Sequence, residues 1–154
     1  MAIKLGHVCL LMSLTAACES SAPSPGPSTP SQPAPVPARA AFDPRPYYTK
    51  RALAVRRGEA SFYADSFSGR RTANGETYDP DAYTAAHRTF PFGTVLRVTR
   101  ERTGAWVLVR VNDRGPYGPR SRVIDLSRVA AKRLAMLGDG VVKVRVEILE
   151  WGRR

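Results

Sequence analysis

The chain contains only two cysteines, Cys9 and Cys18, and both lie close to the N-terminus. The rest of the sequence therefore has neither a disulfide scaffold nor a metal site built on cysteine. Histidine is equally scarce, because His87 is the only one beyond His7. A lone histidine with scattered carboxylates makes a zinc site unexpected, and no phosphate-binding loop is present. We expect neither a metal nor a cofactor.

The apolar run from Val8 to Ala17 is too short to span a bilayer but has the length of a signal-peptide core. It ends in Leu14-Thr15-Ala16-Ala17-Cys18, which resembles a bacterial lipobox with threonine where leucine is commonest. We therefore predict a lipoprotein signal peptide over residues 1–17 and acylation of Cys18. An ordinary secretory signal with an incidental cysteine is the alternative.

Charge is nearly absent from residues 20–46, whereas nine of the 13 prolines lie between Pro23 and Pro46. Such a segment buries little surface and is expected to form an extended tether. We assign residues 18–49 to the lipidated cysteine and this tether. Glu19 follows the cysteine where inner-membrane lipoproteins often have aspartate. We thus expect a lipid anchor on the periplasmic side of the outer membrane, with the inner membrane as the alternative.

Acidic residues are outnumbered, since the net charge is +11 and 21 Lys and Arg face 11 Asp and Glu from Lys50 onward. A basic field favours a polyanion such as nucleic acid, acidic lipid or an anionic wall polymer. The alternative is that arginine simply covers the surface of a small domain. Export makes nucleic acid the weakest of these partners, and we expect a monomer.

Residues 50–154 contain short apolar runs separated by glycine, proline and asparagine, which is typical of a small β-barrel. Alternation predicts strands over residues 59–63, 94–100, 105–112 and 142–148, with a hairpin turn at 101–104. One helix is predicted over residues 128–137, with Ser127 as its N-cap and Gly138 as its stop. Its core face would consist of Ala130, Leu134 and Leu137.

Four polar residues of this domain are candidates for chemistry, and each has a plainer interpretation. His87 is as compatible with packing beside a strand as with a site. Asp113 follows a strand and precedes Gly115 and Pro116, where catalytic groups concentrate, but it could equally close an Asx turn. Glu76 follows the Asn74-Gly75 turn and could be a surface residue, and Asp125 could stabilise the start of the helix.

The segment from Gly58 to about Trp151 resembles the rare lipoprotein A family of septal lytic transglycosylases. Five stretches in order carry this resemblance: Gly58-Glu59-Ala60-Ser61-Phe62-Tyr63, Gly69-Arg70-Arg71-Thr72-Ala73-Asn74-Gly75-Glu76, Thr84-Ala85-Ala86-His87 with Pro91-Phe92-Gly93-Thr94, Arg110-Val111-Asn112-Asp113-Arg114-Gly115-Pro116, and Val123-Ile124-Asp125-Leu126-Ser127. The resemblance implies a mainly β fold, a small six-stranded double-psi β-barrel with one or two short helices. Residues 50–154 would form this catalytic domain.

The resemblance also implies endolytic cleavage of the MurNAc–GlcNAc β-1,4 bond of peptidoglycan glycan strands, leaving 1,6-anhydroMurNAc ends. The family's catalytic aspartate matches Asp113, and its supporting glutamate and histidine match Glu76 and His87. We expect the substrate to contact four further residues: Asn74, Arg114, Tyr63 and Asp125. A single acid–base residue can suffice, because the sugar's own C6 hydroxyl is the nucleophile. Asp113 would then start protonated, with Glu76 as a neighbouring carboxylate and Arg114 opposing protonation.

Several alternatives remain open. The family often carries a C-terminal SPOR domain, whereas this sequence ends at Arg154, so recruitment by that domain is not expected. A non-catalytic, expansin-like peptidoglycan-binding lipoprotein would use the arginines and the aromatic residues Phe62, Tyr63, Phe67 and Tyr117 as a sugar-binding groove. A basic lipoprotein that only fastens the outer membrane to the wall is a third interpretation.

Overall fold

The computed structural model describes residues 42–153. The predicted signal peptide, Cys18 and most of the predicted tether lie outside these residues. In the part that is described, no helix is long and apolar enough to cross a bilayer.

Six strands close into a barrel in the spatial order β1-β5-β2-β4-β3-β6. The strands are β1 Ala54–Phe62, β2 Thr84–Ala86, β3 Val95–Arg100, β4 Trp106–Asp113, β5 Arg122–Leu126 and β6 Val142–Glu150. β1 pairs with β5 and β2 pairs with β4 in parallel, while the other neighbours are antiparallel. Two 3-10 turns, Arg45–Tyr47 and Asp65–Phe67, lie outside the barrel. The predicted mainly β, six-stranded fold is confirmed.

The alternation along β4 and β6 places one face of each strand inside the barrel. Val107, Val109 and Val111 of β4 are buried, as are Val142, Val144, Val146 and Ile148 of β6. Lys143 and Arg145 between them are exposed. Each fully buried Val, Leu or Ile contributes ~1.5–3 kcal/mol by leaving water. The core is therefore built by the strands whose period of two is clearest.

Two strands escape sequence prediction because tertiary pairing, rather than local pattern, makes them. β2 is only Thr84–Ala86, and alanine has little intrinsic preference for strands. It is held between β5 and β4 by pairing on both sides. β5 likewise lies between β1 and β2. β1 begins at Ala54, five residues before the predicted start, because its exposed first half pairs with β6.

The helix α1 is shorter than predicted and covers only Arg128–Arg133. Ser127 is its N-cap, but the Ser127 side chain makes no capping bond. The chain leaves the helix through Ala135, which has a φ of +52°. The buried Arg100 guanidinium satisfies the carbonyls there, donating to Leu134 O at 3.2 Å and Ala135 O at 2.5 Å.

This early end to α1 changes which side chains face the core. Ala130 and Leu134 are buried as predicted, whereas Leu137 is 37% exposed and its placement in the core was wrong. Met136 is buried in its stead. Gly138 lies beyond the helix and does not stop it.

Gly58 marks the closest approach of β1 to the segment that leads into β5. A Cβ at this position would lie 2.5 Å from Val123 Cγ1 and 2.8 Å from the Ser121 carbonyl oxygen. We expect Gly58→Ala to lower the free energy of unfolding by about 1–3 kcal/mol, measured by urea unfolding. Gly138→Ala is the matched control, because nothing lies within 4 Å of its Cβ position. Equal stability of the two variants would contradict the close approach.

Candidate active site

Two carboxylates lie in one row across three neighbouring strands. Asp113 ends β4, Asp125 lies in β5, and Ala86 of β2 pairs with both of them. Partners in a sheet project to the same side, and strands are ~4.8 Å apart, so the two aspartate Cα atoms are about 10 Å apart. The row continues to Ser61 of β1, which pairs with Asp125. The barrel therefore assembles an acidic pair from residues that are distant in sequence.

Asp113 is held by three donors. Tyr63 Oη donates to its Oδ2 at 2.6 Å, and the backbone N–H groups of Ala73 and Arg114 donate to Oδ1 at 2.8 and 2.7 Å. One donor is therefore local, because Arg114 is the next residue, and the other two come from elsewhere in the fold; no bond from Gly115 N–H, which an Asx turn would need, is present among the described residues. All three contacts use Asp113 as an acceptor, which suits an ionised carboxylate.

Asp125 has a different environment from Asp113. Ser61 Oγ donates a hydrogen bond to Asp125 Oδ1. Burial raises the pKa of Asp125, and the negative charge of Asp113 raises it further, against the lowering effects of Ser61, Arg122 and Arg88. The pKa of Asp125 thus responds to the charge of Asp113.

Glu76 forms a bidentate ion pair that keeps it charged. Arg110 Nη1 and Nη2 donate to its two carboxylate oxygens at 2.9 and 2.8 Å, and Asn112 Nδ2 adds a bond of 3.0 Å. Although burial raises the pKa of Glu76, these donors outweigh it and lower the value to about 2. Glu76 is therefore an anion at neutral pH, and its role as a carboxylate neighbour of Asp113 stays a prediction.

His87 uses one ring nitrogen to shape its own loop. Nδ1 accepts from the backbone N–H of Thr89 at 3.2 Å and of Phe90 at 3.0 Å, and the ring stacks on Phe90. Burial lowers the pKa of His87 to about 4, helped by the charges of Arg114, Arg88 and Arg56. The imidazole is thus neutral, and with Nδ1 accepting, its proton lies on Nε2.

Because the His87 imidazole is neutral in the folded protein, the stability of the native state is expected to depend on pH. The unfolded chain protonates histidine below about pH 6.5, whereas native His87 resists protonation until about pH 4. Native stability is therefore lost as pH falls through this window. We expect the thermal midpoint of the wild type to fall more between pH 7 and pH 5 than that of His87→Gln. Identical pH dependence of the two proteins would contradict the lowered pKa.

Arg114 and Asn74, the polar residues next to these carboxylates, form hydrogen bonds within loops. The Arg114 guanidinium donates to the carbonyls of His87 and Phe90 and lies 3.7 Å from the Phe92 ring centroid. It forms no ion pair with Asp113 among the described residues. Asn74 Oδ1 accepts from Thr72 Oγ1 and from the Glu76 N–H, which fixes the turn.

Aromatic side chains border the acidic pair. The Tyr63 ring contacts Tyr78 and Phe67, with centroids 4.7 and 5.6 Å apart. Burial raises the pKa of Tyr63, as does its hydrogen bond to Asp113. Phe67 is partly exposed, and Tyr117 is 88% exposed just beyond Gly115. An exposed aromatic ring beside polar groups suits a ligand with both apolar and hydroxyl surface, such as a sugar.

Four residues that organise the site were not singled out from the sequence. They are Ser61, which binds Asp125; Ala73, whose N–H binds Asp113; and Arg110 and Asn112, which bind Glu76. Arg110 and Asn112 lie two residues apart on β4, so the alternation of that strand places them on one face. That alternation was the available indication, since a polar outward pair in an apolar strand needs a partner. Across residues 42–153, no cluster of three His, Cys, Asp or Glu has a metal-binding arrangement.

A closed six-stranded barrel with two parallel strand pairs and an acidic pair at the end of β4 defines a double-psi β-barrel with the groups needed for acid–base chemistry. A sequence model of the family described as lytic transglycolase matches residues 55–146. The chain belongs to that family, as its sequence pattern predicted.

Curated relatives share this domain but are longer proteins. The chain is similar to "Probable endolytic peptidoglycan transglycosylase RlpA" of Nostoc sp., with 58% identity over 94 residues, covering 60% of this chain and 25% of the relative. It is similar to "Endolytic peptidoglycan transglycosylase RlpA" of Pasteurella multocida, with 48% identity over 100 residues, covering 65% of this chain and 34% of the relative. The chain thus spans about a quarter to a third of the length of these relatives.

Solved structures confirm the fold. The Streptomyces papain inhibitor has a TM-score of 0.52 and 26% identity, with 64% of this chain and 97% of that chain covered. The apo expansin of Clavibacter michiganensis has a TM-score of 0.51 and 19% identity, with 66% and 53% covered. The expansin likeness concerns the fold alone.

Proposed function

We propose that this chain is an endolytic peptidoglycan lytic transglycosylase that cleaves the MurNAc–GlcNAc β-1,4 bond and leaves 1,6-anhydroMurNAc ends. The observation that carries the proposal is Asp113, held by three donors at the end of β4 beside a second carboxylate, in a domain of the lytic transglycolase family. The names of the relatives support the same activity on peptidoglycan. Glycan strands poor in stem peptides are the proposed substrate.

The chemistry needs two proton movements and no water. A proton must reach the glycosidic oxygen as it leaves, and another must be removed from the C6 hydroxyl of MurNAc as that oxygen attacks C1. Because the nucleophile is part of the substrate, its effective concentration is high without a site for water. Asp113 is proposed to handle protons directly, and Asn74, Arg114, Tyr63 and Asp125 remain proposed substrate contacts.

The other two proposed catalytic residues, Glu76 and His87, are proposed to support the site and the substrate. Glu76 supports the loop of residues 73–76, whose Ala73 N–H binds Asp113. His87 presents a neutral imidazole, whose Nε2–H can donate to a sugar oxygen but cannot supply a charge at neutral pH.

The envelope location is part of the proposal. A lipobox cysteine at Cys18 and a proline-rich tether would hold the barrel, as a monomer, on the periplasmic side of the outer membrane within reach of the wall. The domain boundaries 1–17, 18–49 and 50–154 remain predictions. Palmitate labelling of the wild type and of Cys18→Ala in a bacterial host tests the anchor, because only a lipidated Cys18 loses its label in the variant.

Product analysis tests the activity. The purified full chain is incubated with peptide-free glycan strands, and the soluble products are identified by mass spectrometry. We expect fragments ending in 1,6-anhydroMurNAc. Reducing ends would show a hydrolase, which would overturn the lyase assignment. Strands that remain bound and uncut would favour the expansin-like binding protein, for which the exposed Phe67 and Tyr117 are the supporting observation.

Tyr117 is expected to contribute to substrate binding and not to chemistry. Its side chain is almost fully exposed, so Tyr117→Ala should leave the thermal midpoint unchanged. Loss of a stacking surface is expected to raise KM about 3- to 10-fold with kcat nearly unchanged. Tyr48→Ala is the control, since Tyr48 contacts Trp106 at the start of β4, about 23 Å of strand away from Asp113. An unchanged KM in Tyr117→Ala would remove this residue from the binding surface.

A further inference from the structure

The two carboxylates of the acidic pair are built differently although they share one row of the sheet. Asp113 accepts from Tyr63, from Ala73 and from the neighbouring Arg114 N–H, whereas among the described residues Asp125 accepts only from the Ser61 hydroxyl. Donors stabilise the charged form of a carboxylate, and burial with few donors stabilises the neutral form. The pair is thus divided into one carboxylate prepared to accept a proton and one prepared to hold it.

Four side chains around Asp125 influence its pKa. Ser61 of β1 donates to it, and Arg122 of its own strand and Arg88 beyond β2 favour its charged form. The Arg88 guanidinium is, however, engaged by the carbonyls of Pro116, Gly118 and Pro119. Burial and the charge of Asp113 outweigh these effects and raise the pKa of Asp125.

The residues next to Asp125 on the side of Asp113 are the smallest of the site. Gly115 lies beside the carboxyl, and a Cβ added there would be 3.5 Å from Asp125 Oδ2 and 3.6 Å from Ala86 Cβ. Ala86 separates the two aspartates on β2, so only a methyl group lies between them in the row. Cα atoms about 10 Å apart allow the two carboxyl groups to reach the ~5–9.5 Å separations of glycosidase carboxylate pairs.

We propose that Asp125 is the general acid and Asp113 the general base of the cleavage, so that two carboxylates divide the work. Asp125 gives its proton to the glycosidic oxygen as the C1–O bond breaks. Asp113 takes the proton of the MurNAc C6 hydroxyl as its oxygen bonds to C1. One ring ether and one new 4-hydroxyl form, no water is consumed, and one proton returns from Asp113 to Asp125 through solvent before the next turnover. This inference rests on the proposed lytic activity.

The first test replaces the acid by its isosteric amide. We expect Asp125→Asn, assayed as the full chain on peptide-free glycan strands, to lose about 10²- to 10⁴-fold in kcat/KM. Its thermal unfolding and its co-sedimentation with the strands should remain close to those of the wild type. Activity within threefold of the wild type would overturn the role of Asp125.

The second test distinguishes an acid from a structural residue. Ser61 lowers the pKa of Asp125, so Ser61→Ala should raise it and shift the alkaline limb of the kcat/KM profile to higher pH, because the acid must be protonated. Ser121→Ala is the matched control, since Ser121 binds Glu59 on the surface. An unmoved alkaline limb in Ser61→Ala would overturn the acid role even if Asp125→Asn is inactive. A wild type without anhydro products would overturn the proposed function itself, whereas an active wild type with an active Asp125→Asn overturns only the division of roles.

Discussion

Asp113→Asn is expected to lower kcat/KM on peptide-free glycan strands by about 10²- to 10⁴-fold, the usual contribution of a positioned acid–base group. An asparagine side chain has the same shape but cannot take a proton from the C6 hydroxyl. Its amide oxygen can still accept from the Ala73 and Arg114 N–H groups, and its NH₂ can face Tyr63, so the loops should keep their positions. The rate of appearance of anhydroMurNAc ends, measured by mass spectrometry, checks this expectation.

Asp81→Asn provides the matched control for this change. Asp81 is exposed on the turn before β2, and the variant alters the net charge equally. It should retain wild-type activity, and both variants should keep the wild-type thermal midpoint to within a few degrees. If Asp113→Asn were active within threefold of the wild type, Asp113 would not be the group that handles protons.

Glu76→Gln is expected to lower the free energy of unfolding by about 1–3 kcal/mol at pH 7, measured by urea unfolding. The change removes one charge from a bidentate pair with Arg110, in which both side chains are only 18% exposed. It also weakens the loop whose Ala73 N–H holds Asp113. The variant should therefore lose kcat as well as stability, with a smaller change in KM.

The pH dependence of this variant has a definite sign. Because the native pKa of Glu76 is about 2 against an ordinary 4.5, the stabilisation is fully present above pH ~4.5 and is lost as pH falls towards 2. The stability difference between wild type and Glu76→Gln should shrink across that window. Glu101→Gln is the control, because its pair with Arg57 lies on the surface and should contribute less than about 1 kcal/mol. A constant difference down to pH 2 would contradict the lowered pKa.

Much of the barrel could be predicted from sequence because its longest strands have a clear alternation of apolar and polar residues. The valines of β4 and β6 alternate, and a loop of only five residues joins β3 to β4. β2 could not be predicted, since three residues rich in alanine become a strand only between two partners. The helix was predicted too long because its end depends on Arg100, which reaches across from β3.

The candidate site was predicted as a set of residues but not as an arrangement. Asp113, Glu76, His87 and Asp125 were singled out, and Asp113 and Asp125 do share one row of the sheet. Which carboxylate faces which partner depends on strand order, because β5 and β4 are separated by β2. The sequence therefore suggested Glu76 as the neighbour that influences Asp113. In the fold, Glu76 forms an ion pair with Arg110, and Asp125 lies in the same row of the sheet as Asp113.

The closing of the barrel sets an order on folding. β1, the first strand of the chain, has β5 and β6 as its neighbours, and β6 ends at Glu150. A nascent chain therefore has no partner for its first strand until β5, at Arg122–Leu126, has been made. Strands that are far apart in sequence pair slowly, because the chain loses the entropy of closing a long loop before the stabilising contacts form. A domain of this topology is therefore expected to close its barrel only after β6 has been made.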